Sequence, residues 1–361
     1  RLKWETTTEY NTGLDASFLK GKLRFTVDVY QKYIKDLLQK KVKMPTSIGY
    51  GNGYEVSYMN SGKMTNKGWE FRVDAVPFEN RDWRVGFYFN IAHNENKITE
   101  MPDNYTEENY TFNNGEYAYR REEGRPMGSF YGYRYKGVCQ NKDATYARDA
   151  DGNVMKDISG NAIVMRNGTA TIAPGDALYE DINHDGVINQ YDIVYLGNSN
   201  PRFTGGAGVN VSYKQFKLSA IFYGRYGQDV VNSTRLNNES MRGIDNQSTA
   251  VLRRWRNEGD QTDIPRALYG EGYNTLGSDR FVEDASYLRL KSLSFNYRLP
   301  KKIIQRWGFS NIDVYVTGYN LFTWTKYTGQ DPEVKTENTY ARDSATTPAS
   351  IQLVAGFNLS F

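Results

Sequence analysis

The sequence predicts an all-β fold, namely an antiparallel transmembrane β-barrel segment with long loops, and three observations support this prediction. Segments in which apolar and polar residues alternate recur along nearly the whole chain of 361 residues, and a period of two is typical of strands with two different faces. Tyr (29), Phe (17) and Gly (33) are abundant, which favours strands joined by tight turns. Short and long polar connections alternate along the chain, as they do in outer-membrane barrels.

Eleven segments carry the alternating pattern, and the fifth is the weakest. In the fourth segment, Trp83, Val85 and Phe87 alternate with Arg84 and Gly86. The predicted strands lie near residues 4–18, 23–36, 66–77, 83–99, 115–123, 127–139, 203–213, 216–229, 283–298, 311–324 and 349–361. Within 283–298 the alternation changes phase, which predicts a β-bulge.

The polar faces of these strands carry charges over lengths of ten or more residues, with aromatic rings at the strand ends. An apolar face alone would also suit the inside of a soluble sandwich, but a charged opposite face favours a barrel with a polar lumen. The charged residues assigned to the inner face are Arg24, Asp28, Glu70, Arg72, Asp74, Arg84, Arg134, Lys136, Lys217, Arg225, Arg289 and Lys291. An odd strand count predicts part of a barrel, because an open edge in lipid leaves backbone groups unpaired.

Composition excludes several other classes of protein. The net charge of +3 is spread over 45 basic and 42 acidic residues, so no nucleic-acid partner is predicted. No apolar run approaches the length of a transmembrane helix. The single cysteine, Cys139, excludes an internal disulfide framework. Neither Cys139 nor His93 has a partner at the spacing of a nucleophilic site, so no enzyme is predicted.

A calcium-type loop, DINHDGVINQYD, occupies residues 181–192. Oxygen-bearing side chains stand at its first, third, fifth, ninth and twelfth positions and Gly186 at its sixth, which is the spacing of an EF-hand loop. The predicted calcium ligands are Asp181, Asn183, Asp185, the carbonyl of Val187, Asn189 and Asp192. Ile188 is predicted to pack inward and His184 to face solvent. The flanking segments are not helical, so the predicted role of the ion is structural.

Aromatic residues in the long loops are the candidates for substrate contact, because aromatic rings stack on the flat apolar faces of sugars. These candidates are Tyr105, Tyr110, Trp255, Tyr269 and Tyr273. No spacing distinguishes one of them from the others.

Six stretches resemble SusC/RagA-type TonB-dependent outer-membrane transporters, and they occur in the same order as in that family. They are LKWETTTEYNTGLDASFLKGKLRFTVDVYQK (2–32), NKGWEFRVDAVPF (66–78), EEGRPMGSFYGYRYKGV (122–138), PGDALYEDINHDGVINQYDIVYLGNSNPRFTGGAGVNVSYKQFKLSAIFYGRYGQDVVN (174–232), DASYLRLKSLSFNYRLP (284–300) and VYVTGYNLFTWTKYTGQDPEV (314–334). Together they extend the resemblance over essentially the whole chain.

The resemblance implies a 22-stranded barrel in the cell outer membrane, plugged by an N-terminal domain that contacts TonB. It also implies import of oligosaccharides or peptides with a SusD-like surface lipoprotein. We therefore expect residues 1–361 to be the C-terminal portion of such a barrel, with the plug and the early strands outside this chain. One alternative is a soluble β-sandwich that binds carbohydrate and carries a dockerin-like calcium loop. Another is a passive porin, which only the plug domain would distinguish from a transporter.

Overall fold

Nine long antiparallel strands form one continuous sheet, called the wall below. The computed structural model describes residues 2–43, 55–60, 62–101, 115–118, 121–334, 336–337 and 340–361. The wall strands are β1 (Thr6–Phe18), β2 (Leu23–Lys35), β3 (Lys63–Glu79), β4 (Trp83–Glu100), β5 (Phe203–Tyr213), β6 (Phe216–Tyr226), β7 (Tyr287–Arg298), β8 (Asn311–Thr325) and β9 (Gln352–Ser360). Each strand pairs with its neighbour in the chain.

The register of the wall gives it one apolar and one polar face. Val73 of β3 lies between Phe25 of β2 and Phe89 of β4. One residue further on, Asp74 stands beside Arg24. Because side chains alternate between the faces of a strand, this register keeps like residues together across neighbouring strands.

Most of the charges predicted for the inner face lie on the polar face of the wall. The register places Arg24, Asp28, Glu70, Arg72, Asp74, Arg84, Lys217, Arg225 and Arg289 there. Lys291 falls in the predicted bulge, between Leu290 and Ser292. The prediction is corrected for Arg134 and Lys136, which lie outside the wall and both contact Glu180.

Short connections join the strands at one end of the wall, and long connections join them at the other. Residues 19–22, 80–82 and 214–215 form tight turns. The fourth short connection holds one helical turn, α2 (Lys301–Ile304), followed by the 3₁₀ turn Gln305–Trp307. The alternation of short and long connections predicted from the sequence is therefore confirmed.

The predicted count of about eleven strands is corrected to nine in the described part of the wall. Segment 127–139 forms two short strands, of which Ser129–Gly132 pairs with Val194–Asn198 and Tyr135–Val138 pairs with Ala177–Tyr179. All four residues of Ser129–Gly132 are buried, whereas most residues of each wall strand are half-buried or exposed. In segment 115–123, the described residues contribute one bridge, from Ala118 to Tyr131.

Neither segment 115–123 nor segment 127–139 adds a strand to the described wall, so the count falls by two and the number of wall strands stays odd. The strands β1 and β9 are the two edges of the described sheet and do not pair with each other. Both run from the long-connection end towards the short-connection end. The wall is therefore an open sheet, as the odd count predicted.

The long connections have a hydrophobic core of their own, called the loop core below. Its fully buried residues include Phe130, Tyr131, Tyr133, Ile188 and Phe281. The long connections also contain short strands, which add to those already named: Leu38–Lys43, Glu55–Asn60, Arg166–Asn167, Ala170–Thr171, Val187–Ile188, Asp229–Asn232, Val282–Asp284, Thr336–Glu337 and Tyr340–Asp343. The helix α1 (Ser233–Glu239) and the 3₁₀ turns Leu19–Gly21, Asp143–Thr145, Gln190–Asp192, Thr249–Arg253, Tyr273–Thr275 and Asp279–Phe281 complete the described elements. Neither α1 nor α2 has the length or apolar composition needed to cross a membrane.

Two tyrosines on the polar face cover glycines of the neighbouring strands. A Cβ atom at Gly68 would stand 2.6 Å from the Tyr30 hydroxyl, and one at Gly208 would stand 2.1 Å from the Tyr88 ring. Each ring thus occupies the volume that a side chain on the next strand would fill. These close contacts explain why glycine stands within otherwise regular strands.

Candidate functional site

The calcium-type loop connects two strands of the loop core. Within it, Val187–Ile188 pairs in parallel with Arg166–Asn167. Ile188 is completely buried among the residues of the loop core, as predicted. His184 is exposed, also as predicted, and its Nδ1 atom lies 3.3 Å from the carbonyl oxygen of Arg148.

The first half of the loop is folded around the Asp181 side chain. Its Oδ1 accepts a hydrogen bond from the backbone N–H of Asp185 at 3.2 Å, and its Oδ2 accepts one from Gly186 at 2.7 Å. Gly186 has φ +80°, and a Cβ atom there would lie 3.0 Å from the Cβ of Ala147. Glycine is therefore needed at the sixth position for both conformation and space.

The last predicted ligand, Asp192, closes the loop from the inside. Its Oδ1 accepts from the N–H of Ile182 and its Oδ2 from the N–H of Asn189, both at 2.8 Å. The residue is completely buried. Burial raises the pKa of Asp192, and the N–H groups of Asn189 and Ile182 oppose that rise.

The residues predicted to bind calcium form hydrogen bonds with one another and with the backbone of their own loop. Asn183 and Asp185 hydrogen-bond to each other at 2.9 Å, and the Asn189 amide donates to the Val187 carbonyl at 3.0 Å. Within the described residues, no three His, Cys, Asp or Glu side chains form a cluster that could hold a metal ion. The loop supplies oxygen donors of the kind that calcium prefers, but several of them are engaged in hydrogen bonds within the loop.

The aromatic candidates for substrate contact differ in their exposure. Tyr269 is 78% exposed. Trp255 is half-buried against Gly175, where a Cβ atom would stand 2.3 Å from the indole ring. Tyr273 is also half-buried, and burial raises its pKa. Tyr269 is thus exposed to solvent, whereas Trp255 packs against Gly175.

Two further substrate candidates, Tyr105 and Tyr110, lie outside the residues that the structure describes.

A buried carboxylate that the sequence analysis did not single out joins two long connections. Asp176 is completely buried, and the Arg266 guanidinium donates to its two oxygens at 2.7 and 3.1 Å. The N–H of Ala173 donates to the same carboxylate at 2.8 Å, and the Asn274 amide does so at 3.2 Å. The signal available in the sequence was the segment PGDALYE, whose Asp follows a turn glycine.

A second cluster holds the last long connection against the polar face of the wall. The Arg289 side chain is 3% exposed and donates to Glu333 at 2.8 Å and to Asp331 at 2.5 Å. Lys291 also contacts Glu333, at 2.8 Å. The sequence contained a signal for this cluster. Arg289 and Lys291 are two residues apart, and so are Asp331 and Glu333 in the segment GQDPEV.

The electrostatics of this cluster favour the ionised carboxylates. Burial tends to raise the pKa of Asp331. The N–H groups of Ala349 and Glu333, together with the Arg289 guanidinium, outweigh that effect and hold the pKa of Asp331 below its ordinary value. The connection 326–351 is therefore attached to the wall most firmly when this carboxylate is charged.

Comparison with known proteins agrees with the wall and its loops. The family model described as TonB dependent receptor-like, beta-barrel, matches residues 1–321. TonB-dependent receptor P3 of Formosa agariphila is 32% identical over 347 residues, which cover 93% of this chain and 31% of the relative. TonB-dependent receptor SusC of Bacteroides thetaiotaomicron is 27% identical over 370 residues, covering all of this chain and 32% of SusC.

A solved structure gives the same result for the fold. The RagAB peptide importer in its open-open state matches 100% of this chain and 35% of its own, with a TM-score of 0.76 and 25% identity. The chain thus spans about a third of the length of the relatives that it matches. These relatives are named as receptors or importers rather than enzymes. The predicted resemblance is confirmed, and the chain belongs to the TonB-dependent receptor-like β-barrel family.

Proposed function

We propose that this chain forms part of the barrel of an outer-membrane receptor that imports oligosaccharides or peptides with energy supplied through TonB. The polar face of the wall lines the lumen, and the apolar face contacts lipid. The long connections lie on the cell exterior, where they meet incoming cargo. No catalytic role is proposed for any residue.

The exposed apolar face of the wall carries this proposal. Leu353 and Phe357 of β9 are 76% and 67% exposed, and Phe295 of β7 and Phe89 of β4 belong to the same face. A continuous apolar surface of this extent requires a partner of low polarity. The nine strands form one sheet rather than two facing sheets, so the soluble sandwich is not supported.

A SusD-like surface lipoprotein is the proposed partner, on the basis of the resemblance to SusC/RagA-type transporters. The RagAB structures are named as a peptide importer and a peptide transporter, which supports peptides as one class of cargo. The resemblance also includes oligosaccharides. Among the described substrate candidates Tyr269 is the most exposed, which supports it as a contact for either class.

Placement in the outer membrane and import are tested on the full-length receptor in its host. We expect the receptor to fractionate with the outer membrane, to need detergent for solubility and to change its electrophoretic mobility on heating. Uptake of labelled oligosaccharides and labelled peptides is then compared between cells with and without TonB. We expect one class to accumulate only in cells that have TonB, because transport against a gradient needs that energy.

Two results would contradict the proposed function. A receptor that is monodisperse without detergent would contradict its proposed location in the membrane. Uptake that is equal with and without TonB would indicate a passive channel and not an energised importer. The lipoprotein is tested separately, by asking whether it co-purifies with the receptor.

Calcium in the loop 181–192 is proposed as a structural ion. Asp181, Asn183, Asp185, the Val187 carbonyl, Asn189 and Asp192 would hold it, and the spacing of these oxygen donors supports the assignment. The ion would stiffen a long connection and leave the pairing of the wall strands unchanged. The remainder of the loop core would keep its packing, because Ile188 belongs to a buried hydrophobic cluster that contains none of the proposed ligands.

Removing two ligands, with Asp181 and Asp185 both changed to Ala, is expected to abolish calcium binding and loosen the loop. At a calcium concentration about 100 times the dissociation constant, bound ion suppresses local opening roughly hundredfold. We expect a chelator to raise proteolytic cleavage within the loop of the native receptor by a comparable factor. The variant should be cleaved equally with and without the chelator, and its metal content should fall by one calcium.

The matched control for this prediction is Asp157→Ala. Asp157 also accepts backbone N–H bonds in an exposed turn of the same connection, from Ser159 and Asn161. Counted from Asp157, the segment has no glycine at the sixth position and no oxygen-bearing side chain at the ninth or twelfth, so this variant should retain the ion and the effect of the chelator. Equal calcium content in the native receptor and the double variant would refute the site.

A further inference from the structure

A groove crosses the apolar face of the wall near its long-connection end. Its floor is made of Gly205 and Ala207 on β5 and Gly224 on β6, which are neighbours in the register. The groove has a volume of about 670 Å³, which is within the range of roughly 300–1,000 Å³ typical of sites for small molecules.

Large apolar side chains form the two sides of the groove. Phe89 and Ile91 of β4 line one side, and Leu288 of β7 and Trp324 of β8 line the other. Phe222 lies on the floor strand β6, with its ring stacked on Trp324 at a centroid distance of 6.4 Å. The lining is therefore apolar along the length of the groove.

The shape of the groove is fixed by the backbone of the wall. A Cβ atom on Gly205 would stand 2.5 Å from the Asn90 carbonyl oxygen, and one on Gly224 would stand 2.8 Å from the Tyr287 carbonyl oxygen. Both contacts are with backbone held in strand pairs, so neither can relax cheaply. The groove is consequently a permanent feature of the surface rather than a product of side-chain rotation.

Polar residues of the lining gather at the end of the groove next to the long connections, while Asn90 and Thr204 also line it. Thr325 ends β8 and Lys326 follows it, and Asp284 and Ser286 precede β7 at this end. Tyr226, which is exposed, ends β6 beside them. A molecule lying in the groove thus meets mainly apolar surface along its length and polar groups at one end, including the cations Arg225 and Lys326 and the anion Asp284.

We propose that this groove binds one acyl chain of an outer-leaflet membrane lipid, with the lipid headgroup near Lys326. The groove is continuous with the surface that faces lipid in the proposed function, and the inference rests on that placement. Its apolar lining and single polar end match an amphiphile with a long hydrocarbon tail. A bound chain would cover the glycine floor, which has no side chains of its own to contact lipid.

The test uses tryptophan emission from the full-length receptor in detergent. The two probes are a phosphatidylglycerol with brominated acyl chains and a brominated lipid A, because bromine quenches an indole on contact. Emission of Trp324 is obtained by subtracting that of Trp324→Phe from the native signal. Trp83, on the same face at the opposite end of the wall, gives a reference through Trp83→Phe. We expect Trp324 to be half-quenched at a mole fraction of one probe about tenfold lower than Trp83.

Filling the groove should remove this difference. Ala207→Leu places a larger side chain on the floor without adding a Cβ atom, and we expect Trp324 to be quenched in parallel with Trp83. The control is Ala220→Leu, on the neighbouring strand and the same face but outside the groove, and it should behave as the native receptor. A heat-dependent mobility shift confirms that both variants are folded.

Several outcomes would overturn the inference. Parallel quenching of Trp324 and Trp83 in the native receptor would show ordinary lipid contact. Equal behaviour of Ala207→Leu and Ala220→Leu would show that the groove is not involved, as would displacement of the probe by a second copy of the receptor. A receptor that stays soluble without detergent would instead refute the membrane placement, which is a distinguishable result.

Discussion

Changing Asp176 to Ala is expected to destabilise the packing of the long connections by about 3–5 kcal/mol, the usual cost of removing one member of a buried ion pair. The carboxylate accepts hydrogen bonds from Arg266, Asn274 and Ala173 and has no exposed surface. Without it, Arg266 and Asn274 lose a partner that water cannot easily replace. The expected result is rapid hydrogen exchange and proteolysis near residues 173–180 and 264–276, while the wall strands remain protected.

The control for this prediction is Asp143→Ala in the same long connection. Asp143 also pairs with an arginine, Arg148, at 2.9 Å, but its side chain is 72% exposed. Exposed pairs contribute only about 0–1 kcal/mol, so its hydrogen exchange should barely change. If the two variants exchanged at the same rate, burial would not be what makes Asp176 important.

Replacing Arg289 with Met is expected to release the connection 326–351 from the polar face of the wall. Methionine keeps much of the side-chain volume but leaves Asp331 and Glu333 without their main cationic partner. Breaking a buried pair in this way costs about 3–5 kcal/mol. We expect faster proteolysis of the connection in the folded receptor, with an unchanged heat-dependent mobility shift for the barrel.

Arg298→Met, on the same strand, is the matched control. Arg298 forms a two-point pair with Asp313, but its own side chain is 63% exposed. Proteolysis of 326–351 should stay at the native level in this variant, because Arg298 does not contact that connection in the described residues. A similar release in both variants would indicate a general loss of charge on β7 rather than loss of the cluster.

Lowering the pH should release the connection 326–351 from the wall in the native receptor as well. The folded-state pKa of Asp331 is lowered, so its carboxylate contributes stability that is present above the unfolded-state pKa. That contribution is lost as the pH falls from the ordinary aspartate range through the lowered value. Cleavage of the connection by an acid-active protease should therefore rise over this interval in the native receptor and stay constant in Arg289→Met.

The sequence by itself determined the class of fold, the two faces of the wall and the order of short and long connections. These features follow from local rules: a period of two assigns side chains to faces, and turn residues mark where strands end. The bulge in β7 was predicted in the same way, from the change of phase before Leu293 and Phe295. The inward position of Ile188 followed from the loop spacing.

Tertiary structure decided whether an alternating segment joins the wall. Segment 127–139 has the same alternation as a wall strand, yet Phe130 and Tyr131 point to opposite sides and both are buried. The pattern cannot distinguish a lumen or lipid surface from the inside of a folded connection. Whether the segment joins the wall depends on pairing partners far away in the chain, such as Val194–Asn198. The local period of the sequence carries no information about these partners.

The contacts between distant segments were likewise set only by folding. Arg289 and Asp331 are separated by a strand and a turn, and Asp176 and Arg266 by ninety positions. The groove over Gly205 and Gly224 exists because the register places two glycines of adjacent strands side by side. The period of the sequence decides which face of a strand a residue lies on. Its neighbours on that face are decided by the strand register and by where distant segments pack, because both depend on the free energy of the whole folded chain.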